Sequence, residues 1–220
     1  MTRVRTAALL ATAVLAISAY SAACASAALP EFSGPLPAPF GAKSGVTTLE
    51  TVKGAKITCT ADTGGGEISG PKTGTIKLTF TGCEFVTLAL PCNTPGVPPG
   101  EIITGSLLMT LDYISLEPKK EVGIDLSTAT GAPLMEFVCG ALKVTVAGSV
   151  IGKVTPINKL VKPPAHFVLK FAQAAGKQKP MKFAGGPIDV PMTSFGGPFV
   201  ESGLASSDTL AFPVPLTIVA

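Results

Sequence analysis

The run TIKLTFT, residues 75–81, carries the plainest pattern in the chain: Ile76, Leu78 and Phe80 alternate with Thr75, Lys77, Thr79 and Thr81. A period of two sends successive side chains to opposite faces of an extended strand, so one face is buried and the other wet. The pattern recurs in both directions. Upstream, KITCT (56–60) turns Ile57 and Cys59 inward. Downstream, Leu142, Val144 and Val146 alternate with Lys143 and Thr145, and Phe167, Leu169 and Phe171 with His166 and Lys170. Near the C-terminus Leu210, Phe212, Val214, Leu216 and Ile218 continue the period over nine residues. Pro213 and Pro215 fall on the opposite face and lack N–H donors, which assigns part of that strand to a sheet edge.

Between these runs lie turn signals. DTGGG (62–66) is expected to be a loop between two strands, and Gly70-Pro71 a turn. Residues 102–116 are longer and more apolar, with Gly105 as a break point, and fit one long buried strand or two short ones. After the N-terminal segment no window carries an apolar stripe of helical period with caps. Many short strands joined by tight turns predict an all-β fold, an antiparallel sandwich or barrel, with both closures open. No repeat of propeller or solenoid length is present.

Composition agrees. Hydrophobic residues make up 46% of the 220 and charged residues 14%, against about 25% charge in an ordinary soluble domain. There is enough apolar material for a core, and the pattern is not that of disorder. The 24 Gly and 20 Pro follow no fixed period, which excludes a collagen repeat and suits many turns. Once Arg3 and Arg5 are set aside, fifteen lysines stand against fourteen acids, and no arginine follows. Arginine is the usual reader of phosphate, so its absence, with no clustered basic run, argues against a nucleic-acid partner.

Residues 1–27 read as a secretory signal: Arg3 and Arg5 precede an apolar run from Ala7 to Ala19, and Ala25-Ser26-Ala27 fits a small-x-small cleavage site. A retained anchor and a lipoprotein cut before Cys24 are the alternatives. The Ala- and Ser-rich run is weakly hydrophobic for an anchor, and the aliphatic residue usual three positions before a lipidated cysteine is missing. Residues 28–44, with four prolines, are expected to be an extended lead-in. Residues 45–220 form the single predicted β domain.

Cleavage at that point leaves Cys59, Cys83, Cys92 and Cys139. Four cysteines in an exported chain imply two disulfides with three possible pairings. Cys83 and Cys92 flank a short loop containing Pro91, while Cys59 and Cys139 take inward positions on separate strands, so the expected bridges are Cys83–Cys92 and Cys59–Cys139. With no C-x-x-C spacing and one histidine, a metal or redox site is not expected.

Several phrases resemble a group of uncharacterised exported proteins of actinobacteria: LETVKGAKITCTADTGGGEISGPKTG (49–74), FTGCE (80–84), EVGIDL (121–126), FVCG (137–140) and GSVIGKVTPINK (148–159). The resemblance spans most of the chain after residue 45. It implies export and supplies no activity.

Catalytic templates fit poorly. Ser69-Gly70-Pro71-Lys72-Thr73-Gly74 contains both an S-x-x-K and a K-T-G string, but they share one lysine and sit on a turn. His166, the only histidine, shares a strand face with Lys170 and is expected to face solvent, with no nucleophile elbow beside it. Glu117, Glu121 and Asp125, like Asp62 and Glu67, read as solvated loop acids, and the latter pair lacks the repeated Asp/Asn of a calcium loop. Eleven Phe, two Tyr and no Trp offer little for sugar stacking, and Phe195 and Phe199 in SFGGPF are expected to anchor a loop on the core. The expectation is therefore a secreted, non-enzymatic β protein without cofactor, a binding or structural module of the cell envelope or extracellular space. Its partner would be the envelope or another extracellular protein. A carrier of an apolar ligand is the alternative, and a hydrolase with dispersed carboxylates the third reading.

Overall fold

The computed structural model describes residues 29–129 and 131–220; the predicted signal segment and Cys24 lie outside them. The described chain is all β. Its strands are β1 (Glu31–Ser33), β2 (Ala38–Ser44), β3 (Thr47–Thr51), β4 (Lys56–Cys59), β5 (Ala61–Ile68), β6 (Thr73–Thr81), β7 (Glu84–Phe85), β8 (Leu90–Asn93), β9 (Ile102–Ile103) and β10 (Leu107–Ser115). They continue as β11 (Glu121–Ser127), β12 (Met135–Cys139), β13 (Leu142–Ala147), β14 (Val150–Thr155), β15 (Ala165–Ala174), β16 (Lys177–Lys179), β17 (Met192–Ser194), β18 (Val200–Phe212) and β19 (Thr217–Val219).

Eight strands close an antiparallel barrel in the order β2, β5, β6, β10, β11, β14, β15, β18 and back to β2. The outer strands link into a second ring of hydrogen bonds through β3, β4, β7, β8, β12, β13, β17 and again β18. The thirteen-residue β18 serves both. Its Ser202–Ala205 stretch pairs with β3, and Ser206–Phe212 with β15. β9 pairs with the far half of β6, β16 extends β15, and β1 with β19 forms a separate two-stranded sheet.

The period-two pattern explains this closure. Ile76, Leu78, Phe80, Phe167, Leu169, Phe171, Leu210 and Phe212 are all buried, while His166, Lys77 and Lys170 face outward. An eight-stranded barrel is just wide enough for side chains to fill. Here Phe212 packs 5.0 Å from Phe40 and edge-on 5.7 Å from Phe167. An apolar interior with a polar exterior is the reverse of the pattern of a membrane-spanning porin.

Several expectations need correction. Residues 28–44 are no lead-in: β2 closes the barrel, with Ala38, Phe40 and Ala42 inward and Pro39, Gly41 and Lys43 outward. Prolines hid this alternation. DTGGG is no loop but the middle of β5. A Cβ at Gly66 would stand 1.8 Å from the Thr75 carbonyl oxygen, and one at Gly64 2.2 Å from that of Lys77. The glycines let two backbones approach closely, a known use of glycine inside a strand. The C-terminal run is also not one strand: β18 ends at Phe212, the prolines break it, and Leu216 and Ile218 are buried from a new direction. The 102–116 segment takes its two-strand form, β9 and β10, parted around Gly105.

The disulfides are Cys59–Cys83 and Cys92–Cys139, not the pairing the sequence suggested. The reason is register. Cys92 stands directly opposite Cys139 in the β8–β12 pair. The β4–β7 register, Ile57 opposite Phe85 and Thr58 opposite Glu84, brings Cys59 opposite Cys83 when extended by one residue. Cα separations are 3.9 and 4.1 Å. Cys83 and Cys92 are neighbours too, the Cys92 N–H donating to the Cys83 carbonyl at 2.9 Å, yet each sulfur goes to the strand on its other side. Both bridges staple the second ring, whose strands β7 and β8 have only two and four residues.

Candidate anion-binding groove

The outer face of the barrel gathers lysines that are scattered in sequence. In the β14–β15 pair Lys153 stands directly opposite Lys170. Lys179 on β16 is opposite Ala172, two residues along the same face of β15 from Lys170. Like charges directly opposite one another across a ladder are unfavourable. Glu121 on β11 relieves part of this, accepting a hydrogen bond from Lys153 Nζ in a half-exposed ion pair. Lys170 and Lys179 have no such carboxylate among the described residues.

These side chains line a depression of about 350 Å3 floored by Ile114, Ala172 and Pro180. A second depression of about 90 Å3 shares Glu121 and Lys153 and adds Lys119, Lys120 and Thr155. Lys120 is held over the Tyr113 ring, 5.4 Å from its centre. Together five lysines and one glutamate border these two adjoining depressions, which form the lysine trough. Lysine carries compact, strongly hydrated point charges on flexible stems, suited to diffuse anionic groups more than to a bidentate fork.

The residues singled out in the sequence fall elsewhere. Ser69–Lys72 form the tight turn between β5 and β6, closed by hydrogen bonds from the N–H groups of Ser69 and Gly70 to the Thr73 carbonyl. His166 is exposed on the outer face of β15. Phe195 is an anchor, stacked 5.3 Å from Phe85, but Phe199 is 49% exposed and anchors nothing. Glu117 is exposed, Glu121 belongs to the trough, and Glu67 points away from the barrel interior.

Two of the acids expected in solvated loops are buried instead. Asp62 is 1% exposed and faces Asp208, 3% exposed, where β18 passes from one ring to the other. Ser44 and Thr47 donate to Asp62 Oδ2, the latter at 3.0 Å, and Ser206 donates to Asp208 Oδ1 at 3.1 Å. Burial first, and the Asp62 carboxylate second, push the pKa of Asp208 up to about 8. The sequence signal for Asp208 is its place in the period of two, which counted back from Phe212 and Leu210 puts it inward. Asp125 is the other. It sits on the outer face of β11 beneath the 180–191 segment, and burial, opposed by Ser149 and assisted by Asp189, raises its pKa to about 6.

An apolar cavity of about 30 Å3 lies between the rings, lined by Leu49, Ile57, Phe80, Ile102, Phe137 and Leu204. No family model matches the chain, and neither a curated protein nor a solved structure does.

Proposed function

We propose that this is an exported, non-enzymatic binding module that docks an acidic polymer of the cell envelope in the lysine trough on β11, β14, β15 and β16. The observation that carries the reading is the cross-strand pair Lys153–Lys170, with Lys179 beside it: a fold that places like charges together gains when an anion bridges them. The two disulfides fit an oxidising compartment. Among the described residues no aromatic side chain lines either depression, and the nearby Tyr113 ring is half-buried and covered by Lys120, so repeated phosphate or carboxylate groups suit the trough better than nucleobases. The carrier reading has less behind it. The apolar cavity of about 30 Å3 has room for about one water, whereas small-molecule sites run to several hundred Å3. The hydrolase reading is also weaker, because the Asp62–Asp208 pair is sealed from any substrate.

The test is binding of polygalacturonate and of poly(glycerol phosphate) by fluorescence anisotropy at about 20 and 200 mM salt. Micromolar binding to at least one polymer, weakening steeply with salt, is expected. Lys170→Glu with Lys179→Glu should reduce it at least tenfold without lowering the melting temperature. No binding at low salt, or a variant that binds as the original does, would overturn the reading. A preference between the two polymers tells phosphate from carboxylate.

A further inference from the structure

Two loops at one end of the barrel present a surface of another kind. They are the β10–β11 turn, residues 116–120 (LEPKK), and the β14–β15 loop, residues 156–164 (PINKLVKPP). The β11–β14 register, with Gly123 opposite Lys153, brings Glu121 level with Thr155, and the two loops continue side by side from there. Lys119 and Lys120 from the first and Ile157 from the second line one depression.

The longer loop is held in a fixed shape. The Asn158 N–H donates to the Ile218 carbonyl at 2.7 Å. The Asn158 side chain accepts from the Ala220 N–H at 2.8 Å and donates to the Ala220 backbone oxygen at 3.1 Å. Val161 bridges to Leu216, its N–H donating to that carbonyl at 3.0 Å. Ile157 and Val161 pack against the core. Between these anchors Leu160 is turned outward, 61% exposed, and in the shorter turn Leu116 is 50% exposed. A single exposed leucine is ordinary. Here each stands among exposed lysines: Lys119 and Lys120 follow Leu116, and Lys159 and Lys162 flank Leu160. Glu117 is the one acid in the two loops. The neighbouring turn and sheet add Lys72 against Glu31 and Glu67, so positive charge is concentrated where the leucines are.

We propose that this end of the barrel docks on an anionic lipid surface, with Leu116 and Leu160 entering the boundary of the acyl chains and the four lysines meeting the headgroup phosphates. Inserted apolar side chains and cations facing anionic headgroups are the two contributions that hold a protein at a lipid interface. A lysine at such a surface raises partitioning about fivefold. Loops already fixed by hydrogen bonds and by Pro118, Pro156, Pro163 and Pro164 lose little freedom on docking. The leucines decide between this occupant and an acidic polymer, because an exposed apolar side chain gains nothing from a hydrated polyanion. The trough differs in this respect, since no leucine lines either of its depressions.

The chain contains no tryptophan, so Leu160→Trp puts a single reporter at the contact. With vesicles of equal parts phosphatidylglycerol and phosphatidylcholine, its emission should move to shorter wavelength and be quenched by bromine placed in the lipid tails. Leu116→Trp should behave in the same way. Phe199→Trp, at the opposite end of β18 from Phe212, should show neither change. Adding Lys159→Glu with Lys162→Glu to Leu160→Trp should raise the lipid needed for half the shift at least about tenfold. Phosphatidylcholine alone should give no shift. No shift at either leucine position, an equal shift with phosphatidylcholine alone, a shift at position 199 in their place, or an unchanged titration in the lysine variant would overturn the assignment. Lys170→Glu with Lys179→Glu should leave the shift in place, so this surface and the trough stand or fall separately; loss of the shift there would assign the vesicle to the trough and overturn the proposal.

Discussion

Gly66 on β5 stands opposite Phe40, one position along from Gly41 on β2, and the two glycines do different things. At Gly66 an added methyl would strike the Thr75 carbonyl at 1.8 Å, a backbone atom that cannot rotate away. At Gly41 nothing lies within 4 Å of the added carbon. Gly66→Ala should therefore cost about 3 kcal/mol, the upper end for overpacking, and Gly41→Ala no more than about 0.5 kcal/mol either way, as read from urea unfolding midpoints. Equal effects would mean that β5 and β6 are not so closely apposed. Residue chemistry also explains a blind spot in the sequence. Three glycines in a row have no side-chain period, so DTGGG reads as a loop. Only the partner strand reveals that the missing side chains are what lets the ladder form.

Among elements, the strands with strong alternation were legible: β6, β13 and β15 are where the pattern of Ile76, Val144 and Phe167 puts them. What escaped was pairing. A sequence shows which face of a strand is buried but not which strand lies beside it, so it marks Cys59 and Cys139 as inward without telling that their partners are Cys83 and Cys92. The lysine trough escaped for the same reason, since Lys153, Lys170 and Lys179 become neighbours only through the β14–β15–β16 register. The disulfides have a definite role at this scale. β7 and β8 are too short to hold their places by ladder hydrogen bonds alone, and each bridge ties one of them to a longer neighbour. The bridges close loops of 24 and 47 residues, for which chain entropy predicts about 3–4 kcal/mol each. Cys92→Ser with Cys139→Ser should lower the unfolding free energy by about that much. Peptide mapping of the unreduced protein should recover 59–83 and 92–139 linkages; a linkage of 83 to 92 would contradict the register.

At the scale of the whole molecule the buried acids give stability an unusual dependence on pH. Asp208 has a pKa of about 8 in the fold and 3.8 when unfolded, and Asp125 about 6 against 3.8. Below about pH 4 both are protonated in either state and impose no penalty. As pH rises the unfolded chain releases these protons while the native state keeps them, so stability falls, by up to about 1.4 kcal/mol per pH unit for each proton. The decline should run from about pH 4 to 6 for both groups and on to about pH 8 for Asp208 alone. Glu136, held low by Lys143, acts in the opposite sense but at the exposed surface. Guanidinium midpoints between pH 4.5 and 9 should fall, and Asp208→Asn should flatten the upper part of the curve. A midpoint that climbs over this range would show that the fold does not hold Asp208 protonated.

Because β18 is common property of the two rings, neither can come apart while the other stays whole. Pulling its first half away from β3 breaks one circle and drags on the segment that completes the next. The molecule should therefore melt in one step rather than by halves, and a protease meets either an intact double ring or a fully opened chain, with no half-undone form to attack in between.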